Sequence, residues 1–303
     1  MSSTDLLRRK IGGAVFTLRT MGPYYLLREI IRRLFDIPYS YRGIKIDSIE
    51  TFKLVNGLLY MGLNFGVNDN YYFIRTKYGI IRKENIKDFY KLANSLLCLG
   101  NDLEYDGRDY FVKTRYGIIY GNNPKELCII KEDLEGEYSS LNARNNVVID
   151  VGAYHGETTL IFLSWGARMV YAYEPVPEFY NYLIKAIKVN GVEDKVKAFN
   201  YGWWIGDSVI KVRMDFGRTG SSPGDTEIKV VNSAKELLKI SREIGYDFVV
   251  KMDCEGCEYS LLTVPCDVLR LAAQYVMEIH GASTLLIDKF TKCGFRYEVI
   301  KQL

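Results

Sequence analysis

From about residue 142, short apolar runs alternate with segments in which apolar residues recur at helical spacing. The run at 147–151 is β-branched except for Asp150, which predicts a strand buried on both faces. It ends at Gly152, a second glycine follows at Gly156, and a helical pattern comes next. The same rhythm predicts strands at 168–174, 196–199, 209–216, 226–231, 246–252, 274–279 and 295–300, and helices at 178–189, 233–240 and 283–293. Such repeated units are typical of an α/β fold with a mostly parallel, doubly wound sheet.

The first 36 residues also show helical periodicity. Within residues 24–35, apolar side chains fall on one face of the predicted helix and arginines fall on another. A basic amphipathic helix can lie on an anionic membrane surface, which would make the protein membrane-peripheral. The alternative is a helix docked on its own domain or on a second copy of the chain. We favour this alternative because Glu29 and Asp36 dilute the positive charge.

Residues 42–121 are rich in tyrosine, glycine and β-branched residues and contain an internal repeat. The pattern of residues 72–81 returns at 110–119, and each copy predicts two short strands around a Tyr-Gly turn. The gap between the copies contains a helical pattern at 85–98. We therefore predict an N-terminal helical segment at 1–41, a β-rich extension at 42–141 and a C-terminal domain at 142–303.

The composition indicates a folded protein rather than a polyanion binder. The chain has 303 residues, 48% of them hydrophobic, and a net charge of +3. Residues 1–145 carry 22 basic and 17 acidic side chains, or +5, which leaves −2 for the remainder. A solvated basic face explains so mild an asymmetry, and we do not expect a nucleic-acid partner.

Cysteine usage and hydropathy suggest where the protein works. Six cysteines in a chain of this length, without a signal peptide, indicate a reducing compartment. Cys254 and Cys257 form a C-x-x-C pair, but no second pair has the spacing of a zinc site. No apolar run reaches the length of a membrane span. The expectation is a cytoplasmic protein.

The strand, glycine turn and helix around Asp150 are typical of a nucleotide-type site. Gly152 and Gly156 let the backbone approach a ligand, and Asp150 can accept a hydrogen bond or oppose a cation. Glu174 ends the next strand, about 20 positions on, where a doubly wound fold binds ribose hydroxyls. G-x-G-x-x-G is absent, which counts against NAD. A ligand with a ribose and a cation fits better, and S-adenosylmethionine is such a ligand; the alternative is a tight turn without a ligand.

Two later strand ends carry charged side chains, whose burial costs free energy unless they are paired. These residues are Lys251, Asp253, Glu255 and Glu258 after one strand, and Glu278 and His280 after the next. His155, the other histidine of the chain, also follows a predicted strand. For both histidines the alternative to a functional role is a hydrogen bond with a neighbouring loop.

Several motifs stand together in a recognisable order: VIDVGAYHGETT (148–159), VYAYEPVPEFY (170–180), TGSS (219–222), KMDCEGCEYSLL (251–262) and VMEIH (276–280). In order and spacing they resemble the FkbM family of S-adenosylmethionine-dependent methyltransferases. The resemblance covers roughly the C-terminal half of the chain. It implies a class I methyltransferase fold, which is Rossmann-like, with S-adenosylmethionine as the cofactor and methyl transfer to an oxygen.

The resemblance also implies roles for individual residues. Asp150, Gly152 and Gly156 would line the methionine end of the cofactor, and Glu174 would bind the ribose hydroxyls. The predicted cofactor site is completed by Tyr154, Glu157, Thr158, Pro175 and Asn200. His280 is the leading candidate for the general base, with Asp253 or Glu255 orienting it or acting instead. The carboxylates allow a metal ion, but no ligand spacing identifies a site, so none is predicted.

Three stretches depart from the family pattern, namely residues 154–155, 200–204 and 233–235. The second lies near the expected adenine site and leaves the adenine contacts open. Trp203 in this stretch could stack on the base.

These observations predict an O-methyltransferase that acts on a hydroxyl of a carbohydrate, a glycoconjugate or a small metabolite. One rival is an RNA methyltransferase that grips RNA with the basic N-terminal half. Against it, the strand predicted at 246–252 leads into an acidic stretch, which would repel phosphate. An RNA methyltransferase would be expected to carry an N/D-P-P-Y-type motif there. The second rival is a non-catalytic scaffold that binds the cofactor.

Overall fold

The computed structural model of the chain describes residues 21–35, 37–68, 71–76, 79–99, 102–134, 136–215, 218–220 and 225–295. The chain divides into two compact units. The first comprises residues 1–112 and 122–128, and the second comprises residues 113–121 and 129–303. Residues 1–20 of the predicted helical segment, and the predicted last strand beyond Phe295, lie outside the described residues.

The first unit mixes helices with short antiparallel strands. Its elements are α1 (Pro23–Phe35), β1 (Tyr39–Tyr41), β2 (Ile44–Ile46), α2 (Ile49–Tyr60), β3 (Asn64–Asn68), β4 (Tyr71–Thr76), β5 (Gly79–Lys83), α3 (Ile86–Leu99), β6 (Leu103–Tyr105) and β7 (Tyr110–Thr114). Helix α3 lies where the sequence predicts it. Helix α2 was not predicted. Ser48 caps its N-terminus, since the Ser48 hydroxyl accepts a hydrogen bond from the Thr51 N–H.

Each copy of the internal repeat forms two strands, as predicted. The first copy gives β4 and β5, which pair antiparallel with Thr76 opposite Gly79. The second copy gives β7 and then β8 (Gly117–Gly121). Strand β8 belongs to the second unit, so this unit takes in residues well before the predicted boundary at 142. The side chain of Asn190 holds β8 there through the backbone N–H and C=O of Ile118.

The second unit carries most of the remaining elements, and helix α4 (Pro124–Ile129) precedes them. They are α5 (Lys131–Leu134), β9 (Val147–Val151), α6 (Glu157–Ser164), β10 (Met169–Tyr173), α7 (Pro177–Val189), β11 (Val196–Phe199), β12 (Gly202–Trp204), β13 (Ser208–Asp215), β14 (Arg218–Gly220), β15 (Thr226–Asn232), α8 (Ser233–Ile244), β16 (Phe248–Met252), α9 (Cys266–Leu269), β17 (Ala272–Met277) and α10 (Thr284–Lys292). Short 3₁₀ helices occur at Glu193–Lys195 and Cys257–Thr263.

Five strands form one parallel sheet in the order β11–β10–β9–β16–β17. One apolar core lies on the face covered by α6 and α7, and the other on the face covered by α8 and α10. The predicted α/β architecture, a doubly wound and Rossmann-like sheet, is therefore confirmed. The strand order reverses between β9 and β16, and in such sheets ligands bind at the carboxyl ends beside this reversal.

A second sheet packs beside this edge in the order β12–β15–β13–β14. Strand β12 runs parallel to β15, and β13 runs antiparallel to it. The sheet places Trp203 and Trp204 next to the loops that follow β9 and β10.

The six cysteines are joined in three disulfides, Cys98–Cys128, Cys254–Cys257 and Cys266–Cys293. The structure thus differs from the expectation of reduced cysteines. The fold brings each cysteine beside another, although only Cys254 and Cys257 are close in sequence. Among the described residues, no helix has the length and apolar character needed to cross a bilayer.

Candidate functional site

The loop after β9 packs tightly against the loop after β16. Gly152 has a φ of +80°, and a Cβ at this position would overlap the carbonyl oxygen of Asp253. Gly156 has a φ of +94° and precedes α6, where a Cβ would lie 3.0 Å from Leu183 Cδ1. Both positions therefore require glycine, and Gly152 requires it for the contact between two loops of the site.

A buried ion pair joins the ends of β9 and β16. Lys251 Nζ lies 3.2 Å from Asp150 Oδ1 and donates to the Gly152 carbonyl at 2.6 Å. The hydroxyls of Thr158 and Thr159 donate to Asp150 Oδ2 at 2.8 and 2.7 Å. Burial disfavours the charged ammonium, but Asp150 and other carboxylates outweigh it and hold the pKa of Lys251 above its ordinary value. The contacts of Asp150 and Thr158 are thus made within the protein, and their predicted contact with a cofactor stays a prediction.

Glu174 ends β10 and is almost fully buried. Its Oε2 accepts a hydrogen bond from the Tyr154 N–H at 3.0 Å, and its Oε1 accepts one from the Val176 N–H at 2.8 Å. Burial raises the pKa of Glu174 to about 8, although both N–H donors favour the charged form. Asn200 lies beside it and donates to the carbonyls of Glu174 and Pro175. The ribose contact of Glu174 stays a prediction, since its carboxylate is not among the described groups that line the cavity below.

A cavity of about 280 Å³ opens at the carboxyl edge of the sheet. Its walls include Gly152, Pro175, Trp203, Trp204 and the loop at 254–257. Trp203 is fully buried, and its Nε1 finds no hydrogen-bond acceptor among the described residues. Apolar walls of this kind with a few polar groups suit a flat, uncharged ring system such as a nucleobase.

Acidic side chains are crowded on the α6 side of the same edge. Glu157 is buried, and its Oε2 has no hydrogen-bond partner among the described residues. Burial raises the pKa of Glu157 well above its usual range, and the charge of Asp133 adds to this. Asp150 and Asp253 lie nearby with Lys251 as the opposing cation. A positively charged group placed beside Glu157 would favour the ionised form of this carboxyl, which fits the ammonium and sulfonium of S-adenosylmethionine.

His280 lies among carboxylates at the ends of β16 and β17. Its Nε2 is 3.5 Å from Glu255 and 3.9 Å from Asp253, and its Nδ1 is 3.4 Å from Glu258. Burial of the ring disfavours its charge, but these carboxylates outweigh burial and raise the pKa of His280 to about 9. The structure therefore brings together His280, Asp253 and Glu255, as the predicted catalytic group requires.

His155 is placed differently. The ring is fully buried and stacks on Tyr154 at 4.0 Å, with Phe179 and Tyr182 beside it. Burial lowers the pKa of His155 to about 3. Its neutral ring is thus part of the aromatic packing under α7.

Sequence reasoning missed two parts of the site. The Tyr138 hydroxyl donates to Asp253 Oδ2 at 2.8 Å, and burial strongly raises the pKa of Tyr138. Tyr138 precedes β9 and belongs to no motif, so only the fold shows this contact. The disulfide Cys254–Cys257 lies in the cavity wall, and the C-x-x-C spacing was its only signal in the sequence.

A divalent cation also has possible ligands at this edge. Asp253, Glu278 and His280 each offer one ligand atom, and these atoms lie within 4.8 Å of one another. Two carboxylates with an imidazole form a donor set that several divalent ions accept.

The chain was compared with known proteins. The methyltransferase FkbM domain family matches residues 150–297. No curated protein matches the chain. The solved structures to which it is similar include an S-adenosylmethionine-dependent methyltransferase from Agrobacterium tumefaciens, with 9% identity, 75% of this chain and 77% of that one covered, and a TM-score of 0.38.

Two further similar structures also have low sequence identity and low TM-scores. Methyltransferase FkbM from Methylobacillus flagellatus KT is 15% identical, with 68% of this chain and 53% of that one covered and a TM-score of 0.35. The M. jannaschii tRNA m1G37 methyltransferase is 14% identical, with 88% and 69% covered and a TM-score of 0.36. The parallel sheet with its charged carboxyl edge accords with the family match. Residues 150–297 of this chain match the methyltransferase FkbM domain family.

Proposed function

We propose that the protein is an S-adenosylmethionine-dependent O-methyltransferase whose acceptor is a hydroxyl of a carbohydrate, a glycoconjugate or a small metabolite. The observation that supports this most directly is the position of His280. It lies among Asp253, Glu255 and Glu258 at the same sheet edge as the cavity. The cavity and the candidate base therefore lie at one sheet edge, and Glu255, which faces His280, is part of the cavity wall.

When bound, S-adenosylmethionine supplies a methyl group already activated for displacement. The residues of the chain bind and align the reactants, and this alignment is the main contribution that such a reaction needs. Trp203 and Trp204 provide an apolar wall for the adenine, and Glu157 ionises when a cation binds beside it and then offsets that charge. The carboxylate of Glu174 holds the loop at Tyr154 in place.

The acceptor hydroxyl is a poor nucleophile and gains from a base within hydrogen-bond reach. His280 takes that proton at Nε2 once its ring is neutral. Asp253 and Glu255 face this nitrogen and stabilise the imidazolium that forms. Tyr138 holds Asp253 from the other side.

The test combines calorimetry with an acceptor screen. The purified protein should bind S-adenosylmethionine at one site per chain and methylate at least one hydroxyl compound, seen by mass spectrometry as the gain of one CH₂. Binding without transfer to any acceptor would favour the scaffold rival. An RNA shift on a gel that weakens with salt, followed by methylation of that RNA, would favour the RNA rival.

A further inference from the structure

Helix α1 exposes three of its large hydrophobic side chains to solvent. Tyr24 is 58% exposed, Leu27 56% and Ile30 46%, and these residues recur every three positions on one side of the helix. Ile37, just beyond the helix, is 49% exposed. We call these four residues the α1 apolar face.

Two charged residues of the helix, Glu29 and Arg32, are buried instead. Arg32 donates to both carboxylate oxygens of Glu29 at 2.9 and 2.7 Å, and both side chains are buried. The Tyr39 hydroxyl donates to the same carboxylate at 3.4 Å. The acidic charge of Glu29 is therefore neutralised inside the first unit. This removes a main reason for which the sequence disfavoured a membrane contact.

The sequence that contains the α1 apolar face is basic. Residues 1–35 contain seven Lys and Arg against two Asp and Glu, a net charge of +5. Within the helix, Arg28 lies beside Tyr24, with its Nε 3.1 Å from the Tyr24 hydroxyl. Apolar side chains flanked by basic ones match the boundary between lipid headgroups and acyl chains.

We propose that helix α1 binds the surface of a membrane containing anionic lipid, with the α1 apolar face inserted at the headgroup level. A second copy of the chain fits this face less well. A stable interface takes about 20 to 30 residues on each side, whereas the face has four. A symmetric pair of α1 helices would also bring like charges together.

The experiment is co-sedimentation of the full chain with two kinds of vesicle, phosphatidylcholine mixed with phosphatidylglycerol, and phosphatidylcholine alone. The wild-type chain should sediment with the anionic vesicles, and the bound fraction should fall as salt is added. The double variant Leu27→Glu with Ile30→Glu should lose binding by about tenfold or more, since two apolar side chains no longer insert. Circular dichroism checks that the double variant is folded. We expect it to be, because both substitutions are at exposed positions.

The matched control is Leu285→Glu, a change at a leucine that is 61% exposed on α10 and should leave binding unchanged. Equal sedimentation of the wild-type chain and the double variant would overturn the proposal. A wild-type chain that does not sediment with either kind of vesicle would also overturn it. In that case, a dimer that the double variant abolishes in gel filtration would show that a second copy covers the face. Methyl transfer is not needed as a readout, so this test stands apart from the proposed function.

Discussion

His280 is the side chain whose protonation governs the proposed chemistry. Its pKa is raised to about 9 because Glu258, Glu255 and Asp253 outweigh the effect of burial. Only the neutral ring accepts a proton, and kcat/KM reports the pKa of the free protein. We therefore expect kcat/KM for methyl transfer to rise from pH 7 to about 9 and then level off, as measured by initial rates across this range.

His280→Asn provides the comparison, since the amide keeps a similar size without a titrating ring. The variant should lose about 10²–10⁴-fold in turnover and show no rise at that pH. A variant that keeps the wild-type pH profile would show that another group is the base.

Glu174 is the second residue that invites a test. Two backbone N–H groups donate to its two oxygens, and an amide offers only one acceptor. Glu174→Gln should therefore lower the free energy of unfolding by about 1–3 kcal/mol, because one buried N–H loses its partner. Urea denaturation measures this loss, and Glu193→Gln at an exposed position is the control.

The Glu174 carboxyl also predicts in which direction stability changes with pH. Its folded-state pKa, about 8, lies above the ordinary value of 4.5 because burial disfavours the charge. The contribution to stability is thus fully present below pH 4.5 and is lost as the pH rises through about 8. In Glu174→Gln, the free energy of unfolding, measured in urea between pH 4.5 and 8, should depend less on pH. If its pH dependence is unchanged, other groups cause it.

At the scale of elements, Asn190 joins helix α7 to strand β8. Its Oδ1 accepts from the Ile118 N–H at 2.9 Å, and its Nδ2 donates to the carbonyls of Ile118 and Ala186 at 2.8 and 2.7 Å. Asn190→Ala should cost about 1–3 kcal/mol of unfolding free energy, measured in urea. Lys188→Ala, at an exposed position of the same helix, should change it little, and an equal loss in both variants would argue against this role.

The disulfide Cys254–Cys257 fixes the loop that follows β16 and forms part of the cavity wall. Replacing both cysteines by serine should weaken cofactor binding by about threefold to tenfold, since a looser loop must be ordered on binding. Calorimetry measures this. The same change at Cys98 and Cys128, in the first unit, should leave the affinity as it was.

The elements that the sequence predicted well are those whose environment is uniform. Strand β9 is buried at every position, so its residues form an apolar run, and the charged strand ends stand in fixed order along the chain. Helix α2 was missed within a stretch assigned to strands. The inward turn of Glu29 and Arg32 could not be predicted, because a helical pattern shows two faces but not which one is covered.

The site itself was predicted only in part, for a similar reason. Asp253, Glu255 and His280 follow strands, and parallel strands bring their carboxyl ends together. Tyr138 reaches Asp253 across 115 positions, and no local pattern encodes such a contact. The hydrogen bonds of Glu174 to Tyr154 and Val176 likewise depend on how two loops cross.

At the scale of the whole molecule, the two units are interleaved along the chain. The backbone passes from the first to the second after residue 112, returns after 121 and passes over again after 128. The predicted boundary at 142 would therefore cut β8 and residues 129–141 from the unit to which they belong. A shortened chain for study should begin before residue 113.

This interleaving bears on the order in which the protein is made. Ile118 of strand β8 leaves the ribosome 72 residues ahead of Asn190, the residue that caps α7 and binds β8. Strand β8 is therefore synthesised well before its partner in the second unit, and residues 122–128 of the first unit follow it in the chain. A single nick between residues 113 and 128 would likewise leave each fragment carrying a piece of the other's fold.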